Sequence, residues 1–300
     1  MKHSHGEKIN GWLIIDKPTG IGSTTIVNQT RHLLNAQKNG HTGTLDPFAS
    51  GVLPIAFGEA TKLIPFVTNG DKEYEFTLKF GSATDTLDLT GQITADNGNL
   101  PSKDQILTIL PSFIGQIPQI PPAYSAIKIN GKRAYDLARK GLSVDIPERL
   151  ITIHSLQLLN ELPDSQFRFR VSCSKGTYVR TLGADIASRL GTYGYLTELR
   201  RTKCAHFSLA DTILLDNLKN MDYSARQQSL LPLLTSLCDI TVIAISEEDA
   251  VRLRQGQKLS AASYQVADLN QEAIVAFASQ PVAIVRVEAK SIVPIRVFNL

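Results

Sequence analysis

The sequence predicts an α+β protein: a mixed, mainly antiparallel sheet carries the larger part, and a small β-rich unit closes the C-terminal end. Three observations predict it. Stretches with strand character outnumber long helical ones, the helical stretches interrupt them irregularly instead of alternating with them, and two β-rich runs, 272–278 and 282–297, dominate the tail. The expected division is 1–240 for the larger unit and 241–300 for the smaller. At 300 residues and 43 % hydrophobic, the chain is long enough for one good core plus a lesser one.

The elements follow in order. Gly11–Ile15 (GWLII) is a short apolar strand, closed by Asp16-Lys17-Pro18 and a glycine turn. Ser23 or Thr24 then caps a helix whose Ile26, Val27, Thr30, Leu33 and Leu34 share one stripe. After a loop, Val52–Phe57 forms a buried strand, and Glu59–Ile64 a helical turn or two stopped by Pro65. Lys72–Phe80 (KEYEFTLKF) alternates cleanly, with Tyr74, Phe76, Leu78 and Phe80 on one face. An amphipathic helix over Ser102–Leu110 ends before Pro111, and Pro118, Pro121 and Pro122 force an extended path. Asn130-Gly131 makes a turn into a basic helix from Lys132 to Lys140, closed by Gly141. Phe167–Ser172 alternates again, Val179–Leu190 is a helix ending at Gly191, and Leu196–Lys203 is extended. A leucine-rich stretch, 211–240, precedes a short helix capped at Ser246 and ending near Gly256.

Several chemistries are excluded by what is missing. Gly20-Ile21-Gly22 lacks the third glycine and the distal acid of a dinucleotide fingerprint, and neither GxxxxGK[ST] nor GxSxG occurs. Three scattered cysteines, Cys173, Cys204 and Cys238, form no CxxC pair, and His3 and His5 sit in a polar N-terminal tail. No metal and no bound cofactor is expected. No apolar run reaches the roughly 20 residues of a membrane span, and the N-terminus lacks the apolar core of a signal peptide. A cytoplasmic monomer is the expectation.

The constrained stretch NGHTGTLDPFASGVLPIAFGEATK, residues 39–62, poses the functional question. Pro47 pushes Asp46 toward extended backbone, and Gly43 and Gly51 let the chain bend around it, so one carboxylate is mounted at the mouth of a strand. An Asp-Pro turn is also a common structural device. The charge distribution adds a second signal. The whole chain is only +3, yet residues 165–203 carry eight Lys or Arg against two acids. Residues 124–140 add five against one, with Tyr135, Tyr178, Tyr193 and Tyr195 interleaved among the bases of the two stretches. That pattern suits phosphate contacts beside base stacking, and equally a solvated basic surface.

The 39–62 stretch closely resembles the signature of the TruB family of tRNA pseudouridine synthases. DKPTG at Asp16–Gly20, DKEYEF at Asp71–Phe76 and TDTLDLTGQI at Thr84–Ile93 resemble it further. So do IPPAYSAIKINGKRAYDLARKG at Ile120–Gly141, CSKGTYVRTL at Cys173–Leu182 and LRR at Leu199–Arg201. Beyond residue 245 the chain resembles the family's small RNA-binding PUA-type domain only loosely. The resemblance implies the pseudouridine synthase fold with an RNA-binding insertion around 100–150, and isomerisation of uridine 55 in the T loop (TΨC arm) of tRNA. It implies Asp46 as the catalytic aspartate and Arg180 as the arginine paired with it. By the same resemblance Tyr74 would stack on the target base, Tyr178 and Leu199 would line the base pocket, His41 would meet the RNA where the T loop opens, and Lys62 would lie near the site. On the residues alone Tyr74 reads as core, a reading only the resemblance reverses, and Leu199 is anonymous in the same way. Tyr178 reads also as a core or strand-end residue, His41 as a turn histidine and Lys62 as a surface lysine. Gly22 departs from the family, which usually has Ser or Thr there. A tRNA-folding helper and a guide-RNA-dependent relative are the competing readings.

Overall fold

A computed structural model describes residues 6–125, 127–129, 132–138, 145–236, 240–264, 266, 272–288 and 290–300. The expected Asn130-Gly131 turn, the helix end at Gly141, and His3, His5 and Cys238 lie outside them. The fold is α+β as the sequence predicts. Its main sheet has ten strands, eight of them in the spatial order Ile213–Leu214, Gly11–Lys17, Ser50–Phe57, Gly194–Cys204, Lys72–Phe80, Gln166–Cys173, Arg149–Leu162, Gly115–Gln119. Asn39–His41 pairs with Ser50–Phe57, and Phe207–Ser208 with Gly194–Cys204.

Neighbours are antiparallel except at two places. The Ile213–Leu214 strand runs parallel to Gly11–Lys17. More consequentially, Ser50–Phe57 and Gly194–Cys204 meet in a parallel seam of two rungs, Arg200 opposite Ser50 and Arg201 opposite Gly51. On one face of the sheet Leu13, Ile15, Leu53, Ile55, Phe76, Leu78 and Phe169 pack with Ile26 of the Ser23–Leu33 helix and Leu182 and Ile186 of the Val179–Arg189 helix. A second apolar cluster gathers Trp12, Ile14, Val52, Ala56 and Phe207. The clean alternation of Lys72–Phe80 therefore does not leave its other face to solvent: Thr77 is also buried.

Residues 242–297 form a five-stranded sheet of their own, and the expected single run from 282 to 297 is two strands, Gln280–Glu288 and Ser291–Val297. Ala273, Val275, Val285 and Val287 face its own core with Ala250 and Leu253 of the Glu247–Arg254 helix. Ile274, Ile284 and Phe298 point the other way, into the Trp12 cluster.

Two local expectations are corrected. Pro65 does not stop a helix; it occupies the first turn of one, Ile64–Asn69, where a missing N–H costs nothing, after the 3₁₀ turn Gly58–Leu63. Neither Ser23 nor Thr24 caps the first helix. Gly22 is the cap and, having no side chain, makes no capping bond; Ser23 is already the first helical residue and its hydroxyl is engaged with Leu45.

Candidate active site

Ser23 Oγ accepts from the Leu45 amide at 2.8 Å and donates to the Leu45 carbonyl at 2.8 Å, so the helix start grips the residue before Asp46. On the other side of the aspartate, the Gly20 amide donates to the Pro47 carbonyl at 2.7 Å. Asp46 itself opens a turn with Pro47 at its second position, closed by the Ala49 amide onto the Asp46 carbonyl at 3.1 Å. Gly51 is required here: its φ is +104°, and a Cβ would lie 2.2 Å from the Arg201 carbonyl oxygen across the seam. Gly43, also expected to allow the bend, has ordinary backbone and ordinary space for a Cβ.

Asp46 Oδ2 lies 2.9 Å from Arg180 Nε. Arg180 is almost wholly buried, whereas Asp46 keeps 36 % of its side chain exposed, so the carboxylate remains approachable while its partner is fixed. The Arg180 guanidinium is held from three further directions. Nη1 donates to the Thr86 carbonyl at 2.8 Å, Nη2 to the Tyr124 carbonyl at 2.9 Å, and Nη1 lies 3.7 Å from Asp88 Oδ2. Asp88, buried, also accepts from the Thr90 amide (2.9 Å) and the Thr86 hydroxyl (2.8 Å), which folds the 84–90 loop around the arginine. Burial pushes the Asp46 carboxyl above its ordinary range; Arg180 pulls it back, Asp88 pushes it further up, and Lys17 pulls it down. Burial wins.

Lys17 was not singled out from the sequence beyond its place in DKPTG. Its ammonium is fully buried beneath the loop and donates to the carbonyls of Pro18 (2.9 Å), Ile21 (2.7 Å) and Pro47 (3.4 Å), and burial holds its pKa down to about 8. Arg201 stands in the sequence only as one charge of a basic stretch and as the end of LRR. It is buried at the seam, with Nε donating to the Val52 carbonyl at 2.7 Å and Nη2 to the Gly43 carbonyl at 3.2 Å. Arg200 makes a two-pronged pair with Asp16 at 2.7 and 3.1 Å, tying the seam to the first strand.

A cavity of about 580 Å³ opens in front of this pair, lined by Asp46, Tyr74, Tyr178, Arg180 and Leu199 together with Arg149 and Lys175. Five of the seven expected site residues thus converge. Tyr74 packs against the core below, and burial pushes its phenol up to about 12, so it is a neutral ring at any ordinary pH. His41 is half-buried one strand away, outside the lining. Its Nδ1 accepts from the Gly43 amide at 3.2 Å, and burial with nearby Arg201 lowers its pKa, which keeps the imidazole neutral. Lys62 does not join the cavity. Its ammonium pairs with Glu59 at 2.5 Å and donates to the Val297 carbonyl at 2.7 Å, beside the Phe298 ring, while the Asn299 amide donates to Glu59 at 2.8 Å. Among the described residues no cluster of His, Cys, Asp and Glu is placed to hold a metal.

Residues 31–179 match the model of the TruB family pseudouridylate synthase N-terminal domain, and residues 180–237 that of the tRNA pseudouridylate synthase B C-terminal domain. The chain is 43 % identical over 307 residues to a tRNA pseudouridine synthase B of Caulobacter vibrioides, covering 100 % of this chain and 99 % of that one. It is 45 % identical to the protein of the same name from Zymomonas mobilis, covering 98 % and 97 %. Among solved structures, a chain of a Cbf5-Nop10-Gar1 complex superposes with a TM-score of 0.74 at 23 % identity, over 96 % of this chain and 84 % of that one, which shows a shared fold.

Proposed function

We propose that this chain, which belongs to the TruB family of pseudouridylate synthases, isomerises uridine 55 in the T loop of tRNA to pseudouridine, with Asp46 as the reacting carboxylate. The observation that carries the reading is the Asp46–Arg180 pair, solvent-facing on the acid and buried on the base, at the wall of a cavity that Tyr74, Tyr178 and Leu199 complete. The 1–240 body then holds the chemistry, and the 241–300 sheet adds RNA-binding surface.

The reaction breaks the bond from C1′ to N1 of the base and forms one from C1′ to C5. The C5 proton is lost and N1 gains one, so nothing is consumed and no cofactor is called for. The base must first leave its stack, at a cost of a few kcal/mol. Tyr74, neutral and backed by the core, offers a flat face to the extruded ring, and His41 lies where the RNA is opened. Asp46 then acts as an anion, adding to C1′ or C6 or stabilising a positively charged sugar; all routes need it deprotonated. Arg180 and Lys17 oppose the burial that would protonate it.

The test is tritium release from C5-labelled uridine in an unmodified tRNA transcript, without added cofactor. Wild type should release tritium; Asp46→Asn should lose roughly 10⁴-fold or more of the rate while tRNA binding persists. No release by wild type despite binding would transfer the argument to a folding helper or a guide-dependent enzyme. Release surviving the substitution would remove Asp46 from the chemistry.

A further inference from the structure

The cations lining the cavity differ in what they are committed to. Arg180 is shared between Asp46, Asp88 and two carbonyls. Arg201 is spent on the carbonyls of Val52 and Gly43, and Lys72 on those of Thr68 and Gly70. Lys175 reaches the side-chain oxygen of Asn69. Arg149, like Lys175, donates to one neutral acceptor, here the Gly176 carbonyl, and no carboxylate among the described residues pairs with it. Among the described cations of the cavity it is the one whose charge lies over a lining ring, that of Tyr178.

Its position is nevertheless built. Arg149 begins the Arg149–Leu162 strand, where it pairs in register with Gln119. The Gln119 side chain in turn clamps the backbone of Tyr178, accepting from its amide at 2.8 Å and donating to its carbonyl at 3.1 Å. The Arg149 guanidinium lies 4.8 Å over the centre of the Tyr178 ring. Gly176 has φ +83°, backbone that glycine adopts readily, and this turn presents its carbonyl to the arginine. A guanidinium has five N–H donors in a planar fork, the shape that matches a phosphate.

We propose that Arg149 is a phosphate-binding residue of this cavity, taking a non-bridging oxygen of the RNA backbone beside the extruded uridine while Tyr178 holds its plane. The inference rests on the cavity being the uridine site. A nucleotide whose C1′ stands at Asp46 carries its flanking phosphates about one sugar's breadth away, at the same mouth where this cation lacks a counterion.

The test compares wild type, Arg149→Gln and Arg149→Lys for binding of an unmodified tRNA transcript over a range of KCl. Losing one phosphate contact should weaken Arg149→Gln about tenfold near 0.1 M salt and reduce the slope of log affinity against log salt by about 0.7–0.9, whereas Arg149→Lys should keep the slope. A slope unchanged in Arg149→Gln, or reduced as much in Arg149→Lys, overturns the proposal, because a residue that only supports Tyr178 would not alter the charge count. A second measurement uses the wild-type protein, so it survives a variant that misfolds. A T-arm stem-loop with neutral methylphosphonates flanking the target uridine should lose the same increment of slope, and an unaltered slope would also overturn it. Tritium release by wild type is scored separately, so failure of the catalytic reading is distinguishable from failure of the phosphate contact.

Discussion

Around Asp46, order is imposed by charge and by backbone carbonyls: Lys17, Arg180 and Arg201 are each buried, Arg180 and Arg201 spend donors on oxygen atoms of distant segments, and Lys17 spends its own on the nearby Pro18 and Ile21 carbonyls and on that of Pro47. In the 242–297 sheet, order comes from Ile, Val and Ala facing a helix on one side and the Trp12 cluster on the other. The first arrangement fixes direction, because a buried cation tolerates few geometries; the second fixes only proximity, because apolar contact is non-directional. The proposed chemistry sits where direction is fixed.

Substitutions can break or sharpen that contrast. The largest effect beyond Asp46 itself is expected at Arg180. Arg180→Met strands Asp46, Asp88 and two carbonyls, and should cost about 3–5 kcal/mol of stability and about 10²–10³ in the single-turnover rate. If Asp46 works deprotonated, as proposed, activity falls as pH drops through its pKa; removing the cation that opposes protonation moves that acid limb to higher pH. A limb that stays put would mean the arginine does not govern the carboxylate. Next, Phe298→Ala should lower stability by about 3–5 kcal/mol, read by denaturant titration, yet leave the single-turnover rate within about threefold, since non-directional packing sets only proximity. A collapse of the rate at full folding would erase the distinction between the two regions.

Asp88→Asn should act more weakly and in the opposite sense to Arg180→Met. It keeps an acceptor for Thr86 and Thr90 but removes a negative charge that holds the Asp46 pKa up, so the acid limb moves to lower pH, with a stability change of about 1 kcal/mol. A shift upward would show that Asp88 acts through the position of Arg180, not through charge. The smallest effect is at Gly22, whose φ of −73° suits any residue and whose Cβ position is open. Gly22→Ser should add a few tenths of a kcal/mol by capping the Ser23–Leu33 helix, measurable as a small rise in melting temperature with no change in rate.

The sequence made the local signals plain and the distant ones invisible. Lys72–Phe80 is legible because alternation is written within nine residues. The Ser246 cap is equally local: its side chain accepts from the Asp249 amide. Pro65 misled because the same ring that ends one helix can begin another. Arg201 and Lys17 lie in the LRR and DKPTG stretches, but their roles carried no pattern, since their partners are carbonyls, which every residue possesses. Asp46 stood out locally through Pro47 and the flanking glycines, but that Arg180, Tyr74, Tyr178 and Leu199 join it came only from family resemblance; nothing in spacing says that a strand residue and a loop residue share a cavity. For Lys62 the motif gave a place near the loop but not a partner: its ammonium donates to the Val297 carbonyl of the C-terminal strand.

The two-rung seam has a kinetic consequence. Ser50 and Arg200 are 150 positions apart, and their strands touch at only two residue pairs, beside a much longer antiparallel ladder between Gly194–Cys204 and Lys72–Phe80. Such a short, long-range parallel join is expected late in refolding, after the local hairpins. Isomerisation activity would then be the last property a refolding chain regains, behind both its far-UV circular dichroism and the burial of Trp12; activity recovering in step with the tryptophan signal would place the seam earlier.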